Sequence, residues 1–536
     1  MSDSMERLLL SGNNAVARAA RDCGVHFGVG YPGTPSTEIL ENFSELGGHA
    51  EWAPNEKVAL EVGIGAAFGG AAALVTMKHV GLNVAADPFF TAAYTGVPGA
   101  LVIVSADDPG MHSSQNEQDN RHYALAAGIP MLEPSDSQDA YELTREAFLL
   151  SHKHQIPVLL RMTTRTCHSQ TVVRPSAPVS ITGPGAYERD IKGRVMIPGY
   201  AKPAHRRLRA KLAEIERENN NSALNSVVEG SSSLGIIASG VSFVHAREAA
   251  PDASFLKLTT TYPLPFALIR KFAASVDRCI VIEEGDPFLV DNLRANGIPV
   301  EGKDDGYRFG ELNVGLVRGI LAKEPAPEPA PSKGKPPQLC PGCPHRTVFA
   351  TLARQNCIVT GDIGCYTLGV LPPFEAMDSC VCMGASIGVG LGLRHVLPPE
   401  EAKRVVSVIG DSTFVHSGIT GLVEMAYNPP PTGHVVLIVD NGTTAMTGLQ
   451  EHPGTGRALD HSPSSKLSFE DLAKAVGISR VHVIDPIASM QAFSALLTEC
   501  LESGELAVII ARRPCLLAEK KLTAIERAAA SETCTT

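Results

Sequence analysis

One stretch, residues 405–448, constrains this chain more than any other: VVSVIGDSTFVHSGITGLVEMAYNPPPTGHVVLIVDNGTTAMTG. Two short apolar runs, 405–409 and 435–439, read as buried parallel strands. Strands covered on both faces carry continuous rather than alternating apolar residues. Each run ends in a small acidic turn, Gly410-Asp411-Ser412 after the first and Asp440-Asn441-Gly442 after the second. In an open α/β sheet, ligands bind at the carboxyl ends of strands. A carboxylate and an amide delivered there by neighbouring strands make a hard-oxygen site. Mg²⁺ uses one or two such ligands when it also holds phosphate oxygens. The stretch is therefore expected to anchor a Mg²⁺–diphosphate group. Taken singly, either tripeptide is also an ordinary turn, since Asp, Asn, Ser and Gly all favour turns. The pairing carries the reading.

The rest of the chain sets the frame. Its 536 residues suggest roughly three or four domains at about 150 residues each. Apolar residues make up 44 % and charged residues 19 %, enough for a sizeable core, and 49 glycines with a single Trp suit tightly packed α/β layers. The formal charge is −11 without a long basic run, which argues against nucleic acid as a partner. Residues 1–10 carry no secretory signal, and the most apolar long stretch, 62–77, is too short to span a bilayer. A cytoplasmic protein without membrane association is expected. Twelve cysteines then point to metal or redox chemistry, or to buried thiols, rather than to a disulfide framework.

Strand-like runs at 25–30, 73–77, 101–105 and 157–161 alternate with helical segments, which predicts a parallel α/β domain over residues 1–175. Residues 176–232 break the pattern and are expected to be a connector or insertion, with a highly charged helix at 204–219 that buries little. A smaller α/β domain is expected over 233–323. In it, Glu283, Glu284 and Asp286 read as a turn with solvated acids. The segment EPAPEPAPSKGKPP, 324–337, is a Pro-rich linker. A last α/β domain spans 338–518 and carries the opening stretch, and 519–536 is a charged tail.

Two further signals carry chemistry. Just past the linker, CPGCPHR holds Cys340 and Cys343, GDIGC supplies Cys365, and RRPC supplies Cys515. Such a set can hold Zn²⁺ or an iron–sulfur cluster. Cys380 and Cys382 are rival ligands ranked below Cys365 and Cys515. In the first domain, Glu56 follows a short strand and opens a Gly/Ala-rich helix. A glutamate there is commonly just a favourable charge at a helix N-terminus. Lys78, His79, Gln115, Arg121, Arg161 and Arg165 lie near expected strand ends, where each either binds an anion or is simply solvated.

These pieces together resemble the large subunits of the indolepyruvate:ferredoxin oxidoreductases, within the 2-oxoacid:ferredoxin oxidoreductase family. The segments that carry the resemblance are YPGTPST at 31–37, NEKVALEVGIGAA at 55–67, KHVGLNVAADP at 78–88, TTTYPLPFALI at 259–269, CPGCPHR at 340–346, GDIGCYTLG at 361–369, MGASIG at 383–388, GDSTF at 410–414 and DNGTTAMTG at 440–448. The resemblance implies a thiamine-diphosphate-binding α/β fold, with pyrimidine- and diphosphate-binding parallel-sheet domains and a smaller transketolase-C-like domain. It implies oxidative decarboxylation of an aryl, indolepyruvate-like 2-oxoacid to the acyl thioester of coenzyme A. Glu56 is then the acid beside the aminopyrimidine ring. Tyr31, Gly33, Thr34, Gly384, Ala385, Ser386, Gly410, Asp411, Ser412, Thr413, Asn441, Thr443 and Thr444 bind the cofactor. Mg²⁺ is held by Asp411, Asn441 and Thr443. Cys340, Cys343, Cys365 and Cys515 hold one [4Fe–4S] cluster. Thr34, Pro35, His79 and Arg121 meet the substrate. A smaller beta subunit, ferredoxin or another electron carrier, and a dimer of heterodimers are the implied partners.

In one respect the sequence departs from that pattern. Large subunits of this kind usually end in a ferredoxin-like module with two CxxCxxCxxxCP runs, whereas here only Cys534 follows Cys515. One cluster is therefore expected, with electrons passing to a partner subunit or an external carrier. Two other readings stay open at this stage. One is a non-oxidative thiamine-dependent decarboxylase or carboligase, and the other is an inactive thiamine-binding scaffold.

Overall fold

The computed structural model describes residues 6–181, 183, 185, 187–328 and 337–533, with side chains to residue 524. The chain forms two compact units, Met1–Ala330 and Pro331–Thr536. Their boundary falls within the Pro-rich stretch, of which residues 329–336 lie outside the described residues.

The first unit is built on two sheets. The larger has seven strands in the order Thr260–Tyr262, Met131–Leu132, Val158–Thr163, Ala100–Asp107, Ala72–Lys78, Phe27–Gly30, Ala50–Trp52. All pairings are parallel except the antiparallel edge made by Thr260–Tyr262. Its central strands are continuous apolar runs, and Ala100–Asp107 is buried along its whole length, as a strand with helices on both faces must be. The helix Glu56–Phe68 starts at Asn55, whose side chain accepts from the Val58 amide. Gly63 brings this helix so close to the sheet that a Cβ there would stand 2.4 Å from Val75.

The second sheet of this unit has the order Cys279–Ile282, Ser231–Ser239, Ala253–Leu258, Ser226–Val228. The two sheets share one apolar core that includes Val29, Val75, Leu256, Val281 and Val300. Two expectations change here. Residues 260–262, expected inside the smaller domain, form the edge of the seven-stranded sheet, because the strand pairs with Met131–Leu132. The charged helix, observed as Pro198–Asn219, is not idle. Ala204, Leu208, Leu212, Ile215 and Asn219 form a buried stripe at helical spacing, and Leu208, Leu212 and Ile215 join the shared core. Its charges occupy the other faces, which is why composition concealed the stripe.

The second unit carries a six-stranded, wholly parallel sheet in the order Ser379–Cys380, Ile358–Gly361, Val405–Gly410, His434–Asp440, Leu506–Arg512, Arg480–Ile484. Apolar clusters cover both faces. The two strands of the opening stretch are neighbours, with Gly410 in register with Val439. Both acidic turns therefore leave the same end of the sheet side by side. The final helix runs Leu516–Thr533, directly after Cys515. Cys534 lies outside the described residues.

Candidate active site

In the second unit the two turns converge. Asp411 is buried. Its Oδ1 accepts from the Ser412 amide at 2.9 Å, and its Oδ2 accepts from the Gly442 amide at 2.7 Å and from His452 Nε2 at 3.2 Å. The Gly454 amide donates to His452 Nδ1 at 3.1 Å, so Nε2 is the ring nitrogen that carries the proton toward Asp411. Burial pushes the Asp411 carboxyl up, but His452 and the two amides outweigh it and hold it below the ordinary carboxylate range. The neighbouring Asp440 is pushed up by burial and by the Asp411 charge, although Arg512 Nε donates to it at 2.6 Å. Two carboxylates crowded in one buried corner are a setting that a divalent cation relieves.

Asn441 extends the site. Its Oδ1 accepts from the Thr443 amide at 3.1 Å, and its Nδ2 meets His345 Nε2 at 3.3 Å. Thr443 donates its hydroxyl to the Gln450 carbonyl, Thr444 to Ser412 Oγ, and Thr413 to the Ile363 carbonyl. Gly410 permits the close approach of Tyr366, whose ring would stand 2.6 Å from a Cβ there. Gly384 has φ +87° and backs onto Ser417 at 2.3 Å from a would-be Cβ, so only glycine fits. Gly384 and Ala385 lead into the helix Ser386–Val396, whose N-terminus suits an anion. The donor set thus fits a Mg²⁺-bound diphosphate: hard oxygens at Asp411 and Asn441, backed by a glycine turn and a helix N-terminus.

The four cysteines meet nearby. Cys340, Cys343, Cys365 and Cys515 line one cavity of about 90 Å³ together with His345, Leu368 and Asn441. Burial raises the Cys365 thiol to about 11, and Cys515, Cys343 and Cys340 add to that. Cys343 is raised too, by burial first, and a bound cationic group would discharge thiols placed this way. Among the described residues, no three His, Cys, Asp or Glu side chains are gathered tightly enough for a single ion. A [4Fe–4S] cluster asks for a wider spread, because each thiolate binds a different iron, and four cysteines lining one cavity fit that group. Cys380 and Cys382 are absent from the lining of this cavity.

In the first unit, Glu56 is buried in the first turn of its helix. Gly81 makes room for it: a Cβ at 81 would stand 2.6 Å from both Glu56 Cγ and Oε1. The loop holding Tyr31, Gly33, Thr34 and Pro35 leaves the strand Phe27–Gly30 and ends in the helix Thr37–Glu45. Asn13 Nδ2 donates to the Pro35 carbonyl at 2.7 Å. Gly33 lies against the stem of Lys78, 3.0 Å from Lys78 Cβ to a would-be Cβ. Lys78 Nζ donates to the Ser113 carbonyl at 2.7 Å, and burial lowers the amine to about 8 against the pull of Asp108 and Glu56. His79 is wholly buried, with Nε2 3.2 Å from the Asn116 carbonyl. Burial, then Lys78, lowers it to about 4, so the ring is neutral.

Arg121, expected to meet the substrate, is engaged with the protein in this structure. It is buried, with Nη1 2.7 Å from Glu283 and Nη2 2.5 Å from Asp119, and it also donates to the carbonyls of Glu284 and Asp286. Its donors go to the protein. Arg161 pairs with Asp107 at 2.7 Å and Glu133 at 2.8 Å, and Arg165 with Glu311 at 2.5 Å. The acids at 283 and 284 are not solvated either. Glu283 accepts the Leu289 and Val290 amides, and Glu284 accepts the Leu312 amide while burial raises it to about 7.

Three polar residues of this site carry no signal of their own in the sequence: His345, Asp362 and His452. His345 and Asp362 stand inside motifs that were recognised for their cysteines. His452, in EHPGTG, gives no signal until the loop folds back onto Asp411.

Comparison with known proteins agrees with both halves of this arrangement. Residues 18–187 match the family "Pyruvate flavodoxin/ferredoxin oxidoreductase, thiamine diP-bdg", and residues 362–511 match "Thiamine pyrophosphate enzyme, C-terminal TPP binding domain". The indolepyruvate oxidoreductase subunit IorA of Archaeoglobus fulgidus is 40 % identical over 548 residues, covering 96 % of this chain and 87 % of the relative. The subunit of the same name from Thermococcus kodakarensis is 38 % identical, covering 96 % and 86 %. Among solved structures, a 2-oxoglutarate:ferredoxin oxidoreductase from Magnetococcus marinus superposes with a TM-score of 0.51 at 18 % identity, covering 60 % of this chain and 66 % of that one. At that identity the likeness is one of fold.

Proposed function

The chain belongs to the family of indolepyruvate oxidoreductase IorA subunits, within the thiamine-dependent 2-oxoacid:ferredoxin oxidoreductases, and from that premise we propose that it oxidatively decarboxylates an aryl 2-oxoacid to the acyl-CoA. Electrons leave through one [4Fe–4S] cluster to ferredoxin or a smaller partner subunit, in a dimer of heterodimers. The observation that carries the oxidative reading is that Asn441, a Mg²⁺ ligand in this account, lines the same cavity as all four cysteines. A redox group there lies against the cofactor anchor.

Bound thiamine diphosphate supplies the electron sink for decarboxylation. The chain's own residues do the rest. Asp411, Asn441 and the Thr443 carbonyl would hold Mg²⁺, with His452 and the Gly442 amide fixing the Asp411 carboxylate. Residues 384–386 and Gly410 receive the diphosphate oxygens, and Ser412, Thr413 and Thr444 brace those loops. With the cofactor bound, the Glu56 carboxyl would supply and take up the proton that the aminopyrimidine ring needs, and Gly81 keeps that carboxyl's place open. The loop of Tyr31, Gly33, Thr34 and Pro35, together with His79, would shape the substrate pocket.

A panel of 2-oxoacids, assayed with coenzyme A, a dye acceptor and the partner subunit, tests the reading. Indolepyruvate and phenylpyruvate should give acyl-CoA and reduced dye. An aldehyde product without dye reduction would instead establish a non-oxidative decarboxylase.

A further inference from the structure

Each segment that carries a cysteine of the pocket is hydrogen-bonded to a loop of the diphosphate site. The Cys515 amide donates to the Asn441 carbonyl at 2.9 Å. His345, two residues after Cys343, meets the Asn441 side chain at 3.3 Å. The third connection is Asp362, in the GDIGC segment that carries Cys365. Its buried carboxylate accepts three backbone N–H groups. Gly384 at 2.7 Å and Ile363 at 2.9 Å reach Oδ1, and Ser386 at 2.9 Å reaches Oδ2. The Asp362 carbonyl accepts Thr367 Oγ1 at 2.6 Å, and the Ile363 carbonyl accepts Thr413 Oγ1 at 2.8 Å. A buried carboxylate satisfied by three backbone donors from two loops holds only when both loops keep their shape.

We propose that Asp362 is a positioning residue that locks the Cys365 loop to the turn at 384–386 and thereby links the two sites. A cluster held by the four cysteines strengthens diphosphate binding, and bound diphosphate strengthens retention of the cluster. The inference rests on the proposed function, since it needs both groups to bind. Linkage between two binding sites is reciprocal by thermodynamic necessity. The physical route is short: a filled cysteine pocket fixes residues 361–365, Asp362 then holds the amides of 384 and 386 in place, and the anion meets a preformed turn rather than one it must order.

The test measures thiamine diphosphate affinity, with Mg²⁺ present, by calorimetry on the full chain. One sample is loaded anaerobically with iron and sulfide, and the other is iron-free. The loaded chain should bind about tenfold more tightly, within the range of roughly 5- to 150-fold typical of site–site coupling. In Asp362→Asn the side-chain size is kept, but one acceptor becomes a donor that faces a backbone N–H. That variant should still take up iron while the affinity ratio falls below about twofold; general loss of stability would weaken both states alike and leave the ratio. Amide exchange at Gly384 and Ser386 needs no variant, and iron loading should slow it at both positions. Equal affinities in the two states, or a full ratio in Asp362→Asn, would overturn the linkage. Failure of both states to bind thiamine diphosphate, or of the chain to take up iron, would overturn the proposed function first.

Discussion

In the first unit the densest group of charges joins two sheets, while in the second unit the polar groups gather at loops that end a single sheet. Arg121, Arg161, Asp107, Asp119, Glu133 and Glu283 form a buried network in which each arginine is matched by carboxylates. Glu283 and Arg121 span 162 positions in sequence, so the network ties the smaller sheet to the larger one. Asn441 and the four cysteines line one cavity, and Asp411 sits in the neighbouring turn, bonded to the Gly442 amide. Burial alone therefore does not separate structural charge from functional charge. The distinguishing feature is the partner: the arginines of the first unit are matched by carboxylates, whereas Asp411 accepts from backbone amides and one imidazole and, among the described residues, from no Lys or Arg.

Substitutions should break this contrast to different degrees. The largest effect is expected at Glu56. Glu56→Gln should lower turnover by about 10²–10⁴-fold, the usual worth of a positioned proton-transfer group. Binding of thiamine diphosphate should stay within about threefold, which calorimetry on the same protein checks. Arg121→Met should show the opposite pattern: removing one partner of a buried ion pair costs about 3–5 kcal/mol of stability. Denaturant unfolding should record that loss in the first unit, while Mg²⁺ affinity is unchanged. A substrate role for Arg121 would instead appear as a raised KM with normal stability. His452→Gln leaves Asp411 in place but loosens its orientation. Mg²⁺ affinity should weaken by about 10- to 100-fold, as for other residues that orient a ligand.

The smallest effect is in pH dependence, where the two units should differ in slope. His434, buried in the second unit beside Ser407, is lowered by burial to about 3. Between pH 6.5 and pH 3 its unfolded form binds a proton that the folded form does not. The second unit therefore loses stability on acidification, by about 1.4 kcal/mol per pH unit once below the unfolded pKa. Glu284 in the first unit is raised by burial to about 7. Its folded form holds the proton more tightly, so its contribution is present at low pH and fades as pH rises from 4.5 through 7. His79, lowered to about 4, opposes Glu284 and flattens the response of the first unit. Amide exchange at pH 6.5 and pH 5, corrected for intrinsic rate, should show the second unit opening more readily at the lower pH and the first unit changing less.

What the sequence made legible follows from how local each feature is. Asp411 and Asn441 were readable because two uninterrupted apolar runs announce parallel strands, and strand ends locate ligand sites. The cysteines were readable from spacing and from their Gly/Pro turns. Residues whose role depends on distant packing were not readable. The helix Pro198–Asn219 reads as solvated until its buried stripe joins the shared core. Glu283 and Glu284 look like a polar turn, yet they accept amides from residues 289, 290 and 312. The edge strand Thr260–Tyr262 belongs to the larger sheet through a pairing with residues 131–132 that no local pattern encodes. Gly81 shows the same limit: its neighbour Glu56 is 25 positions away, and only the fold explains why no side chain is tolerated there.

The central claim is that the second unit holds a redox cluster against the diphosphate anchor. Iron and acid-labile sulfide, measured on the anaerobically reconstituted full chain and on Cys365→Ser, test it most directly. The account predicts about four irons and four sulfides per chain, as a [4Fe–4S] cluster requires, with the cluster lost or degraded in the variant. A chain that takes up no iron, or takes it up equally well without Cys365, would contradict it.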